Sequence, residues 1–356
     1  MYNFEDFSCR HESQEGILNK RTKEKYPTML TAVLEAHDID ELSCYSNLEV
    51  EKNNVNQSLD SLYEDRLKML REKYDHLEMC WGGGFDSTKM LQVSIKTGIP
   101  FDSITMYCHG TPLTIDSLYN YELRSNFGFV QHYVGKFPKV KVNFLDAKEM
   151  YSMAVETKQN NIDWALVSQG RLNDINHVSC DSMVPERKTP LAAVVTGKGV
   201  NPIVYNKKYD IWSVYITGDQ INLGGAQTKH ADLIRFYEDP KIAKKIGSNT
   251  QDFFYKNNPK YENVWVTNHG WMHDYITYPE LKGKINHLGN DEDQGGWQNH
   301  SKHAWFMTDQ GVKTKYKEYW NWLAWLDQEI NEGLLINSGS MAIGNIKPIA
   351  PYTIDF

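Results

Sequence analysis

The stretch "CWGGGFDSTKMLQ", residues 80–92, sets three glycines, an aspartate and two hydroxyl residues between an apolar run and an apolar helical pattern. The run before it, HLEMCW (76–81), reads as a strand. STKMLQVSIKT (87–97) reads as a helix, ended by Gly98 in the left-handed position that glycine occupies cheaply. A loop joining a strand to a helix exposes several backbone N–H groups where the helix dipole adds partial positive charge, which makes an anion site. Gly82, Gly83 and Gly84 allow the main chain to approach a ligand closely, and Ser87 and Thr88 add hydroxyl donors. Phosphate is the natural guest. Asp86 beside phosphates implies an intervening cation, and Mg²⁺ fits because it takes one or two carboxylates plus phosphate oxygens.

Outward from this loop the chain alternates short apolar runs with helical stretches, the pattern of βαβ units and a parallel sheet. Strands are expected at SITMYCH (103–109), KVKVNFL (139–145) and LAAVVT (191–196). Helices are expected at TIDSLYNYELRSNF (114–127), ended by Gly128, and KEMYSMAVETK (148–158), with a less regular stretch over 162–174. Upstream, Leu59, Leu62, Tyr63, Leu67, Leu70 and Tyr74 recur at helical spacing, with Asn56 or Ser58 as N-cap. PIVY (202–205) and IWSVYIT (211–217) read as a β-hairpin and place the end of the parallel sheet before them.

The expected organisation is therefore a polar appendage over 1–55 with a short helix at Pro27–His37, an α/β domain over 56–225, and a mainly helical, aromatic-rich region over 226–356. That last region holds the helical stretches ADLIRFYEDPKIAKKI (231–246) and KEYWNWLAWLDQEI (317–330). Its Trp320, Trp322 and Trp325 read as a packed core face. No internal repeat is visible.

With 40% hydrophobic and 24% charged residues, the 356-residue composition is that of a globular protein of about two domains. No run of about 18 apolar residues marks a membrane span and no signal peptide is evident, so the cytoplasm is the expected compartment. The five cysteines (Cys9, Cys44, Cys80, Cys108, Cys180) form no CxxC pair, against a zinc ribbon or a disulfide framework. A net charge of −8 disfavours a nucleic-acid partner, and the charge runs NKRTKEKY (19–26) and KTKYKEY (313–319) read as solvated helix faces.

GGGFDS (82–87) is neither a Walker loop nor a dinucleotide fingerprint. It resembles the pyrophosphate-binding loop, usually written SGGxDS, of the N-type ATP pyrophosphatase superfamily, also called the adenine nucleotide alpha hydrolases. In motif layout the chain is most similar to the synthetase domain of asparagine synthetase. The resemblance covers about residues 70–225 and implies a Rossmann-like sheet of the HUP type, with ATP across the C-terminal strand ends and its pyrophosphate in this loop, Phe85 included. It further implies attack on the α-phosphate by a substrate to give an adenylate, which an amine or ammonia then displaces. Where the family has the first serine, this chain has Gly82.

TGKGVNP (196–202) after the fourth strand resembles the family's second segment, with Thr196, Gly197, Lys198 and Gly199 as a second half-site, Lys198 standing where the family has an acid. TGDQINLGG (217–225) competes for that match through Asp219, a candidate magnesium or acceptor residue. The family's adenine-side position, at the end of the second strand, falls on Tyr107, Cys108 and His109. Cys80 and Cys108 also read as buried structural thiols.

The missing cysteine pairs argue against persulfide chemistry and a zinc cluster. The Tyr2 that follows Met1, and the roughly 75 residues before the first strand, argue against an attached glutaminase. The resemblance thus points to a stand-alone synthetase using free ammonia, a small amine or a partner's glutaminase. It is similar to stand-alone members carried by bacteriophages, for which the compartment is the host cytoplasm. Two alternatives stay open: a nucleotide-binding module without turnover, and a metal-dependent hydrolase built on His269 and His273 of HGWMHD and His300 and His303 of HSKH.

Overall fold

In a computed structural model of the protein, the structure describes residues 15–26, 41–46, 49–108, 121–146, 191–197, 203–206, 209–216, 232–257, 265–267, 272–285 and 352–355. Its centre is a five-stranded parallel sheet of β4 (His76–Cys80), β5 (Ser103–Cys108), β6 (Lys141–Asp146), β7 (Ala192–Thr196) and β10 (Asp232–Arg235). The order is β10-β7-β4-β5-β6. β7 is buried along its whole length and β4 through its three middle residues, as strands covered on both faces must be. Flanking helices complete a Rossmann-like α/β fold.

From β4 the chain adds β5 and β6 on one side, then returns to place β7 and β10 on the other. The order therefore reverses between β4 and β7, and such a switch point opens a crevice outside the carboxyl ends of the two strands. The glycine loop leaves β4 at that point.

Two helices frame it. Helix α1 (Leu59–Lys73) is capped by Ser58, whose hydroxyl accepts from the Ser61 amide at 3.2 Å. It buries Leu59, Leu62, Tyr63, Leu67 and Leu70 and packs against α2 (Phe85–Thr97). Gly98 ends α2 at φ +69°, as its place in the sequence requires.

The helix expected before Gly128 is described over Tyr121–Asn126 as α3 and ends there, and a second helix, α4 (Gly128–Lys136), follows it without having been expected. Two expectations are corrected. The parallel sheet does not stop before the hairpin, because residues 232–239 are not helical: β10 pairs with β7 and Asp239 then caps α5 (Pro240–Asn257). The Asp239 carboxylate accepts from the amides of Lys241 and Ile242 at 2.9 and 3.1 Å, with proline first in the helix. The run 19–26 is not a helix face but the exposed turn from β1 (Glu15–Asn19) to β2 (Lys25–Tyr26).

The predicted hairpin is present as β8 (Ile203–Asn206) and β9 (Ile211–Ile216), and belongs to a four-stranded antiparallel sheet with β11 (Trp265–Thr267) and β12 (Tyr352–Asp355). A third sheet orders β2-β1-β3, and its β3 (Leu42–Ser46) lies against β9 and β12. The expected helices at 27–37, 148–158 and 317–330, and the tryptophan cluster, lie outside the described residues. No helix among the described residues is long and apolar enough to cross a membrane.

Candidate functional site

The loop after β4 is held by its own hydroxyls and by one distant amide. Gly83 adopts φ +86°, the left-handed backbone that favours glycine. Its carbonyl accepts from the Asn126 side chain of α3 at 2.9 Å. Ser87 donates to the Gly84 carbonyl at 3.3 Å and accepts from the Gly82 amide at 3.4 Å, closing the loop on the first turn of α2. Gly84 is the N-cap and has no side chain with which to cap the helix.

Gly197, directly after β7, explains why a second glycine belongs here. A Cβ on it would stand 2.8 Å from the Ser87 amide nitrogen and 2.9 Å from the Asp86 Cβ. Only bare backbone lets the end of β7 approach the start of α2 this closely, so Gly197 stands beside the first glycine loop at the switch point. Gly197→Ala is expected to cost about 1–3 kcal/mol of stability because the contacted atoms, two of the backbone and the Asp86 Cβ, cannot rotate out of the way. Gly82→Ala, whose Cβ meets nothing within 4 Å, is expected to stay within about 0.5 kcal/mol of wild type. Denaturant unfolding of both variants checks the contrast, and equal effects would contradict it.

Beside Gly197, the Thr196 hydroxyl is 2% exposed and has no hydrogen-bond partner among the described residues. A buried hydroxyl left in that state at a crevice is a donor available to a ligand. Thr88 differs. It is fully buried and its oxygen accepts from the Trp81 indole N–H at 3.2 Å, so it braces the loop from behind. Phe85 likewise packs, stacking on Tyr278 with centroids 6.1 Å apart.

Asp86 sits in the first turn of α2, half-buried, and two tyrosines from later in the chain close on it. Tyr278 donates its phenolic proton to Asp86 Oδ1 at 2.5 Å, and Tyr237 donates to the Asp86 carbonyl at 2.7 Å. Tyr237 follows β10 in a turn that Arg66 of α1 clamps by donating to the carbonyls of Phe236, Arg235 and Glu238. Tyr63 meets the Tyr237 ring edge-on at 5.4 Å. Burial first, and then the Asp86 charge, hold the phenols of Tyr63, Tyr237 and Tyr278 well above their ordinary range, so all three stay protonated at neutral pH. Asn126, Tyr237 and Tyr278 carry no signal in their local sequence.

Cys108 ends β5 as a buried thiol, and the Tyr107 backbone pairs with Leu145. His109, Lys198, Gly199 and Asp219 lie outside the described residues, as do His269, His300 and His303. Among the described residues no group of three His, Cys, Asp or Glu is placed to hold a metal.

The donor set fits a polyphosphate with its cation. It offers a helix N-terminus without a side-chain cap, the glycine loop with Gly197 beside it, a threonine hydroxyl without a partner among the described residues, and one oriented carboxylate. No protein-family model matches the chain, and no curated protein is measurably similar to it.

Proposed function

We propose that the protein is a Mg²⁺- and ATP-dependent, AMP- and pyrophosphate-forming synthetase of the HUP type, acting on a carboxylate or carbonyl oxygen of a small acceptor. The observation that carries this reading is the contact of Gly197 with Asp86 and Ser87, which sets Gly197 beside the first glycine loop at the switch point of the sheet. The loop Gly82–Gly84 and the first amides of α2 bind the pyrophosphate portion of ATP, and Thr196 donates to a phosphate oxygen. Asp86 would hold the magnesium ion, which when bound would supply neutralisation of phosphate and pyrophosphate charge.

In the reaction the acceptor oxygen forms a bond to the α-phosphorus as the bond from that phosphorus to the pyrophosphate oxygen breaks. Ammonia, a small amine or ammonia from a separate glutaminase then displaces AMP. The protein's contribution is positioning and fixed dipoles, not covalent chemistry. In this reading the region from residue 226 onward is assigned acceptor specificity, and Lys198 and Asp219 keep the candidate roles that the resemblance implies, toward phosphate charge and toward magnesium or the acceptor. Nucleic acid and membrane are not partners in this reading.

The test is incubation with Mg²⁺ and α-labelled ATP in the presence of a small-metabolite pool and ammonia, with AMP and ADP separated. AMP with equimolar pyrophosphate is expected. ADP would overturn the reaction class. A second reading, nucleotide binding without turnover, is favoured by Gly82, which lacks the hydroxyl of the family's serine. It predicts saturable ATP binding and no AMP.

A further inference from the structure

The hydroxyl of Tyr278 is buried 192 positions from its partner in the chain, and the ring alone does not require it. A phenylalanine would stack on Phe85 equally well at the same 6.1 Å and 11°. Burying a hydroxyl is costly unless it is hydrogen-bonded. Here the Asp86 carboxylate is the bond acceptor that offsets the cost.

We propose that Tyr278 is a positioning residue for Asp86, fixing the carboxylate in the rotamer that meets the cation accompanying ATP. The proposal rests on the ATP reading above and names how that site is pre-organised. An aspartate in the first turn of a helix has several staggered χ1 wells, and holding one of them in advance removes an ordering cost from cation binding. A carboxylate has about four acceptor positions, so accepting a tyrosyl proton does not of itself bar it from a cation. The phenolic O–H donates and the carboxylate oxygen accepts, so the contact runs in one direction.

The tyrosine is itself held from both sides. Before it lies the helical turn Met272–Thr277 and after it Pro279–Leu281, whose Glu280 accepts from the buried Lys89 ammonium of α2 at 2.5 Å. Lys89 also donates to Asp60 of α1 at 2.8 Å. The Tyr237 ring meets Tyr278 at 5.8 Å while its own hydroxyl holds the Asp86 backbone. Backbone and side chain of Asp86 are thus fixed by two different segments, one after β10 and one beyond α5, which is the arrangement a pre-organised ligand needs.

The test measures ATP binding by calorimetry across a Mg²⁺ titration for the wild type and Tyr278→Phe. The Mg²⁺ concentration for half-maximal ATP binding is expected to rise about tenfold in the variant, the low end for residues that orient a metal ligand. ATP affinity at saturating Mg²⁺ is expected to change less than about twofold, because the phosphate-binding amides are untouched. A lower melting temperature with an unchanged Mg²⁺ half-point would overturn the proposal and leave Tyr278 a packing residue. Wild-type protein that binds no ATP, or binds it without dependence on Mg²⁺, would overturn the ATP reading itself, and so the two failures are distinct. Should Tyr278→Phe not fold, Glu280→Gln weakens the Lys89 tether while keeping the tyrosine. It is expected to raise the same half-point by a smaller factor, and an unchanged value there would equally overturn the proposal.

Discussion

Asp86→Asn is expected to lower AMP formation by about 10²–10³-fold, the loss typical of removing one electrostatic stabiliser from a reaction centre. The isostere is the informative choice because its Oδ1 still accepts from Tyr278, so the packing of Tyr278 on Phe85 and Tyr237 is retained. Its fold should survive. An acidic residue in a first turn also interacts favourably with the helix dipole, and losing that charge costs about 0.3–1 kcal/mol. The two roles of Asp86 therefore separate by readout. A helix-stabilising acid predicts a small drop in denaturant midpoint with AMP formation intact, whereas a cation ligand predicts near-complete loss of turnover with a small change in midpoint. Activity within about threefold of wild type would remove Asp86 from the chemistry, since one oriented charge at the reacting phosphate is worth far more.

What the sequence makes legible here is local. The order strand, glycine loop, acid, hydroxyl and helix is written in the consecutive residues 76–97, and the structure places β4, the Gly83 turn and α2 accordingly. β10 is different. DLIR is four residues long, too short to show a two-residue period, and its apolar neighbours Ile234, Phe236 and Tyr237 fit a helical face as well. Its pairing with β7 decides the matter, and that is a non-local fact. Asp239–Pro240 was the available signal, since a capping acid before proline marks a helix start and bars a helix from running through it.

The site follows the same division. Gly197 is visible as a glycine turn, but the reason it must be glycine, an approach to Ser87 across 110 positions, is not. Thr88 reads as a ligand donor from its place beside the loop. Only the position of Trp81 turns its hydroxyl inward. Tyr237 and Tyr278 reach Asp86 from 151 and 192 positions away, and no spacing rule spans such distances. The loop that binds is thus encoded in one place, and the groups that hold its aspartate come from elements whose folding must be complete first.

The same three tyrosines predict a steep loss of stability in alkali. Burial and the Asp86 charge raise the folded-state values of Tyr63, Tyr237 and Tyr278 well above the ordinary 10.0. A raised value means that the folded protein keeps protons which the unfolded chain releases, so this contribution is fully present below pH 10 and is lost as the pH rises from there towards the folded values. In that window each tyrosine lowers the unfolding free energy by about 1.4 kcal/mol per pH unit, and the three together by about 4 kcal/mol per unit. Against a typical total of about 5–15 kcal/mol, unfolding is expected within about one to four units above pH 10, with tyrosinate absorbance appearing together with loss of secondary structure. Tyr63→Phe isolates the effect. The Tyr63 hydroxyl is buried without a partner among the described residues, so removing it is expected to stabilise the protein at pH 7 by about 1 kcal/mol. It should also reduce the alkaline slope by about one third, because one of the three retained protons is gone. Denaturant unfolding at pH 7 and at several values above 10 reads both effects, and a slope equal to wild type would show that Tyr63 ionises in the folded state.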